Sequence, residues 1–364
     1  MSSRPRIRDL GYSPGKFTPG PKNSLLDVNG VTVGQVTIHR NPSIHTGLTM
    51  IFPRGVKHTR DVPCYAGTHD LNGMGELTGS HAIAEWGYLN TPIALTNTVS
   101  VGKVYDGVFR WEFEQAEKSG EDELQAARRM NIPVVGETYD GLLNDISASA
   151  IDEHDVYDAI WASKRQDDIL EGNHGGGTGM RCHGYKGGTG TSSRIVPGIE
   201  RDYTLGVLVQ ANHGQKQDLR IGNVPVYQPQ GGRQREVGIL VTTLRRIAQH
   251  AGMGVTQVGG HCAGRNFSGE IFLALSTGTS PNELATNSSG FDYLPPIETQ
   301  RVETVKNEVI DSLFYATSEA TEEAILNALC KAETLTGLKG RTQEALPVDR
   351  VKQLLDKYMV KLDA

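Results

Sequence analysis

The sequence predicts a layered body of mixed helices and strands, an α+β or α/β fold, and two observations predict it. Short apolar runs of strand length recur along the chain, several of them continuous rather than alternating. Between them lie segments with apolar residues at helical spacing, in an order that does not alternate strictly with the strands. No internal repeat and no clear linker divides the 364 residues, a length that suits one large domain or two small ones.

Taken in order, residues 24–38 (SLLDVNGVTVGQVTI) read as a β-hairpin turning at Asn29-Gly30, which supplies the positive φ values of a type I′ turn. Further strands are expected at 48–52, 92–98, 132–138, 205–211, 237–243 and 270–276. Val104, Val108 and Trp111 share a helical face, as do Val156 and Ile160 behind a cap at Asp152 or Asp155. Leu244, Ile247, Ala248 and Ala251 form an i, i+3, i+4, i+7 stripe, and Ala324, Ile325, Ala328 and Leu329 form another. Pro347 opens a last helix with Val348, Val351, Leu354, Leu355 and Tyr358 inward. The polar stretch 228–236 (QPQGGRQRE) reads as an exposed loop.

Composition narrows the function classes. A hydrophobic content of 37% and a charged content of 21% fit a globular protein, and a net charge of -6 gives no electrostatic reason for a nucleic-acid or anionic-membrane partner. No apolar run reaches transmembrane length, and no apolar h-region follows the basic N-terminal residues, so a cytoplasmic location is expected. Cys64, Cys182, Cys262 and Cys330 show no CxxC pairing and read as reduced thiols.

Four motifs carry polar groups. The densest is 172–194, GNHGGGTGMRCHGYKGGTGTSSR, whose glycines let backbone approach backbone or face an anion. A Walker A loop is excluded because Lys186 stands between Tyr185 and Gly187, and Gly175, Gly177 and Gly179 give GxGxG rather than a dinucleotide fingerprint. His174-Gly175-Gly176-Gly177 matches the oxyanion loop of lipases and esterases. That fold also needs a G-x-S-x-G elbow, and none is expected in this chain. A metal site from His174, Cys182 and His183 is weighed and set aside, since adjacent residues rarely ligate one ion and neither HExxH nor CxxC is present. In the second motif, VVGETYDGLLND (134–145), a strand end puts Glu137 and Tyr139 on one side, where a carboxylate and a phenol can hold an ammonium and polarise a carbonyl. The third, LGVLVQANHGQ (205–215), runs into Asn212, an amide able to donate to a developing oxyanion or simply a turn residue. The fourth, GRNFSGEIFLALS (264–276), sets Ser268 and Glu270 two apart at a strand start, a proton-positioning pair or a polar cap.

Together with RDLGYSPGKFTPGPKNSLLDVNGVTVG (8–34), VPCYAGTHDLNGMGELTGSH (62–81) and ALTNTVSVG (94–102), these motifs resemble, in order and over most of the chain, the DmpA-like aminopeptidases and β-peptidyl aminopeptidases. The resemblance implies a single domain over 1–364 with the four-layer αββα sandwich of the DmpA/ornithine-acetyltransferase type. It implies hydrolysis of the N-terminal residue from short peptides, amides or esters, without cofactor or metal, by a homo-oligomer. It also implies self-cleavage, here near 230–240, that frees a serine whose own α-amine serves as base. Asn212 would be the oxyanion donor, Glu137 the anchor of the substrate amine, Tyr139 a lining group, and Ser268 and Glu270 the supports of the nucleophile. The chain departs from the pattern where that serine belongs. Residues 229–252 read PQGGRQREVGILVTTLRRIAQHAG, and no serine occurs between Ser193 and Ser268. Thr242 and Thr243 are the hydroxyls nearby, at the end of the expected strand instead of its start. Two explanations remain open, a segment lost from the coding sequence or a non-catalytic homologue that binds on the same scaffold. The related N-acetyl-glutamate-forming acyltransferases, with a threonine nucleophile, fit the motif wording less well.

Overall fold

The computed structural model describes residues 4–122, 131–226, 243–259, 269–278, 297, 299 and 302–359. Strands β1 (Thr32–Arg40), β2 (Ile44–Phe52), β5 (Ile93–Asn97) and β6 (Val134–Thr138) form one sheet in the order β1-β2-β5-β6, antiparallel except for the parallel β5–β6 pair. A second layer is made of β9 (Gly188–Val196) with β10 (Tyr203–Ala211), and of β3 (Cys64–Asn72) between β4 (Tyr88–Leu89) and β13 (Glu270–Ser276). Short hairpins β7 (Arg181–Cys182) with β8 (Tyr185–Lys186), and β11 (Arg220–Ile221) with β12 (Val224–Pro225), sit at the margins.

Helices cover both outer faces. After the short α1 (Gly55–His58) and α2 (Ser80–Trp86), α3 (Val101–Ser119) and α4 (Glu153–Ser163) pack on the first sheet. There Val104, Val108, Trp111, Val156 and Ile160 meet Leu48, Met50 and Phe52, alternate residues of β2. Ile51, pointing the other way, joins Val33, Ile93, Leu95, Leu208 and Ile271 between the two sheets. On the far side α5 (Thr243–Gly259) and α6 (Asp311–Lys331) cover the second layer, and α7 (Val348–Tyr358) closes the same core with Val351 and Leu355. The order is helix, sheet, sheet, helix.

Local signals placed most of these elements. Asp152 caps α4 in a full capping box: its carboxylate accepts from His154 N and Asp155 N, and the Asp155 carboxylate accepts from Asp152 N. The hairpin expected over 24–38 is not formed. Ser24 caps a 3-10 turn at Leu25–Asp27 through a capping box of its own, so Asn29-Gly30 leads out of that turn into β1, and the hairpin is β1–β2. Tyr358, expected inward, is exposed at the end of α7 beyond the core. Of the strand expected at 237–243, Thr243 is the first residue of α5, and the rest lies outside the described residues, as does the loop expected at 228–236.

The glycine-rich motif turns out to be the buried strand β9 and its approach. A Cβ on Gly190 would lie 1.9 Å from Ala324 O and 2.8 Å from Ala328 N, so β9 and α6 touch backbone to backbone. Polar residues of β9 are satisfied inside: Ser192 Oγ donates to Ala320 O (2.6 Å), and Asn327 Nδ2 donates to Thr191 O (3.0 Å). Arg194, fully buried, is paired with Glu323 at 2.8 Å. Cys64, Cys182 and Cys330 are buried.

Candidate active site

Four of the five groups singled out in the sequence line one cavity of about 2410 Å³ between the sheets: Glu137, Tyr139, Asn212 and Glu270. Ser268 lies outside the described residues.

Glu137 reaches the cavity from the end of β6, opposite Thr96 in the parallel β5–β6 register. Thr98, just past β5, donates its hydroxyl to Glu137 Oε2, and the Glu76 amide donates to Oε1 at 3.3 Å. A carboxylate offers about four acceptor positions, so these two bonds orient the group and leave room for an ammonium. The intervening Thr138 fastens β6 to the second layer, since Gln210 Nε2 donates to its hydroxyl at 2.5 Å.

Tyr139 is held from below. Its neighbour Asp140 is buried, and Asp140 Oδ2 accepts from Thr46 Oγ1 (2.7 Å), Asn97 Nδ2 (3.0 Å) and Asn144 Nδ2 (3.0 Å). Burial pushes this carboxyl up from the ordinary aspartate value, against the pull of those three donors. Tyr139 itself is 59% exposed and lines the cavity.

Asn212 follows β10 directly. Its Oδ1 accepts from Arg181 N at 3.0 Å, and its Nδ2 donates to Tyr139 O at 2.9 Å. An amide N–H only donates and a carbonyl only accepts, so the two partners fix which way the side chain is turned. The second Nδ2 hydrogen is engaged by neither bond and can serve a developing oxyanion.

Glu270 opens β13 opposite Asn72 and is buried. The loop at 73–76 bridges it to Glu137. A Cβ on Gly269 would lie 2.2 Å from Met74 O, and one on Gly75 would lie 3.3 Å from Glu137 Oε1 and 3.4 Å from Ile271 Cδ1. From this end the cavity runs along β10 and β13, which among the described residues pair only with β9 and β3.

Sequence reasoning missed the supporting residues Thr98, Thr46, Asn97, Asp140 and Asn144. The signal for two of them was local, since Asp140 and Asn144 stand four apart in the same motif as Glu137 and Tyr139. The oxyanion-loop reading of His174–Gly177 does not hold. That stretch is a buried 3-10 turn in which Gly175 N and Gly176 N donate to Thr37 and Thr49 hydroxyls, not to a cavity. One stretch, Gly11–Gly15, does spell G-x-S-x-G. It follows a 3-10 turn, and a Cβ on Gly15 would overlap Glu319, so it is not a strand–helix elbow.

The sequence model of the family described as Peptidase family S58 matches residues 23–343. The chain belongs to peptidase family S58. It is 36% identical to the β-peptidyl aminopeptidase BapA of Sphingosinicella microcystinivorans, over 97% of this chain and 92% of that one. To BapA of Sphingosinicella xenopeptidilytica it is 35% identical, over 96% and 91%. Among solved structures it resembles a Burkholderia sp. β-aminopeptidase (TM-score 0.83, 38% identity, 98% of this chain and 100% of that one). It also resembles the L-aminopeptidase D-Ala-esterase/amidase of Ochrobactrum anthropi (TM-score 0.81, 35% identity, 98% and 99%), described as a variant of the Ntn hydrolase fold. This S58 chain is thus an aminopeptidase-type hydrolase, built on the helix, sheet, sheet, helix order described above. The aligned spans of 391 and 386 positions exceed its own 364 residues, so both BapA relatives carry positions that it lacks. Among the described residues no helix is long and apolar enough to cross a membrane.

Proposed function

We propose that the cavity takes the free N-terminus of a short peptide, amide or ester, and that hydrolysis releases its first residue. β-Peptides, named for the BapA relatives, are the first substrates to try. In this reading Glu137 pairs with the substrate ammonium, Tyr139 lines the site beside it, and Asn212 donates to the oxyanion of the tetrahedral intermediate. Glu270, with Ser268, orients the attacking group and its proton. The single observation that carries the reading is the shared cavity. A carboxylate with room for an ammonium and an amide with an unengaged hydrogen meet there through the Asn212–Tyr139 bond, two residues from Glu137. The family resemblance extends the proposal to self-cleavage near 230–240 and to a cytoplasmic homo-oligomer.

The attacking oxygen is the part this sequence does not supply, as no serine stands between Ser193 and Ser268. That observation favours a second reading, a binding protein that keeps the ammonium site and neither cleaves itself nor turns over substrate. The extra positions in the relatives favour a lost segment instead. A denaturing gel and an N-terminal sequence separate the two. Hydrolysis predicts two fragments, a new N-terminus in 230–245, and release of p-nitroaniline from an aminoacyl anilide. A single band at 39.5 kDa with no release sinks the hydrolytic reading for this chain. Transcript sequence across 228–245 then shows whether a segment is missing.

A further inference from the structure

Behind the strand end that carries Asn212, a thiol and two imidazoles lie together in a place the hydrolase reading does not use. The β7–β8 hairpin turns through His183 and Gly184, both at positive φ, 47° and 70°. Such a two-residue turn favours Asn-Gly or Gly-Gly, and a left-handed histidine is uncommon. His183 and Cys182 are fully buried. The loop after β10 brings His213 against them: His183 N donates to His213 O at 2.7 Å, and the two rings meet edge to face with centroids 5.2 Å apart. Cys182 Sγ lies 3.9 Å from His213 Nε2, and one donor atom from each of the three residues lies within 4.8 Å of the others.

Two glycines from separate elements clear space for the His183 ring. A Cβ on Gly214 would come within 2.5 Å of its Cε1 and Nδ1, and one on Gly259, at the end of α5, within 2.5 Å of Cε1. The ring is also oriented. Its Nδ1 lies 3.2 Å from Gln215 O, which can only accept, so Nδ1 carries the proton and Nε2 presents its lone pair. A backbone carbonyl on the far nitrogen is how metal-bound imidazoles are usually fixed.

We propose that Cys182, His183 and His213 form a binding site for a borderline-soft divalent cation, Zn²⁺ by preference, the left-handed turn at His183 bringing together two adjacent side chains that an extended chain would hold apart. One sulfur and two imidazole nitrogens suit that ion and not Mg²⁺ or Ca²⁺, which take oxygen. Tetrahedral bonds of about 2.3 Å to sulfur and about 2.0–2.1 Å to nitrogen set donor atoms roughly 3.3–3.7 Å apart. The 3.9 Å sulfur–nitrogen separation is close to that, and the widest pair needs a side-chain rotation. On binding, the Cys182 S–H proton leaves to solvent, a Zn–S bond forms, and water takes the fourth position. His213 lines the large cavity, which gives the ion a route in. A bound ion would pin the β7–β8 turn to the loop after β10, on both sides of the Arg181–Asn212 bond.

The test uses the full chain, freed of metal with a chelator and titrated with Zn²⁺ by calorimetry and with Co²⁺ by absorption. One equivalent of either ion is expected, with a near-ultraviolet thiolate-to-cobalt band and tetrahedral visible bands. Cys182→Ser abolishes the near-ultraviolet band, and both Cys182→Ser and His213→Gln weaken binding by more than about tenfold, since even losing a group behind a ligand costs 10- to 100-fold. Cys64→Ser leaves binding unchanged. Absence of stoichiometric binding, a cobalt spectrum without the thiolate band, or wild-type affinity in the two ligand variants would each overturn the proposal. The wild-type cobalt spectrum decides even if a variant does not fold, and none of these readouts involves hydrolysis.

Discussion

Replacing Lys186 with methionine should change how stability depends on pH. Lys186 is fully buried in β8, and its Nζ donates to two backbone carbonyls, Gly177 O at 3.2 Å and Gly187 O at 2.9 Å. Burial lowers its pKa from 10.5 to about 7. Between those two values the folded chain holds the neutral amine and the unfolded chain the charged one. The unfolded state then binds more protons, so stability must rise with pH across that window. The full slope is about 1.4 kcal/mol per pH unit, less near the lower limit, so wild type should gain roughly 2 kcal/mol from pH 7 to 9 through this group. Lys186→Met removes the titration. It also takes a donor from two carbonyls, a pH-independent cost of about 1–3 kcal/mol each where the carbonyl is left unpaired. Urea unfolding of both proteins at pH 7, 8 and 9 isolates the effect, since every other titrating group is common to both. The stability difference should widen in favour of wild type as pH rises. Parallel curves would show that Lys186 titrates alike in both states, and a narrowing gap would show that the buried charge is stabilising. Either result refutes the reasoning.

Gly190→Ala should destabilise by about 3 kcal/mol, because the atoms its Cβ would meet, Ala324 O and Ala328 N, are backbone and cannot rotate away. The control is Gly102→Ala in α3, where nothing lies within 4 Å; there thermal unfolding should show a gain of about 0.5–1 kcal/mol. Glu323→Gln should cost about 3 kcal/mol or more, since it leaves Arg194 buried without its nearest carboxylate. Burial opposes the Glu323 charge, but Arg8, Arg194 and Asn23 outweigh it and hold its pKa below the ordinary glutamate value. Its stabilisation is therefore complete above that ordinary value and lost as pH falls through the folded one; acid unfolding of the variant should lack this component. Glu137→Gln should weaken dipeptide binding roughly 10- to 100-fold in calorimetry, the worth of a charge-assisted hydrogen bond, and an N-acetylated dipeptide should be insensitive to the change.

Helices and caps were legible because their causes are local. The stripe Ala324, Ile325, Ala328, Leu329 lies in a helix as its spacing demands, although every residue from Ala316 to Cys330 is buried and not that face alone, and the Asp152 cap forms from residues three apart. The apolar runs at 92–98, 132–138, 205–211 and 270–276 became β5, β6, β10 and β13 for the same reason. The hairpin expected at Asn29-Gly30 failed because a neighbouring signal, the Ser24 capping box, decided the segment first.

What the sequence by itself determined is the longer helices, several of the strands, the family, and which side chains stand at strand ends. Only the tertiary structure decided what meets what. The glycines of 172–194 suited a close approach or an anion equally well until α6 was found against Gly190. Cys182 and His183 acquire His213 as a neighbour, rather than His174, because β9 pairs antiparallel with β10 and aligns Gly188 with Ala211. Short-range spacing fixes backbone shape within a few residues, whereas strand register and layer packing bring together groups that no local pattern relates.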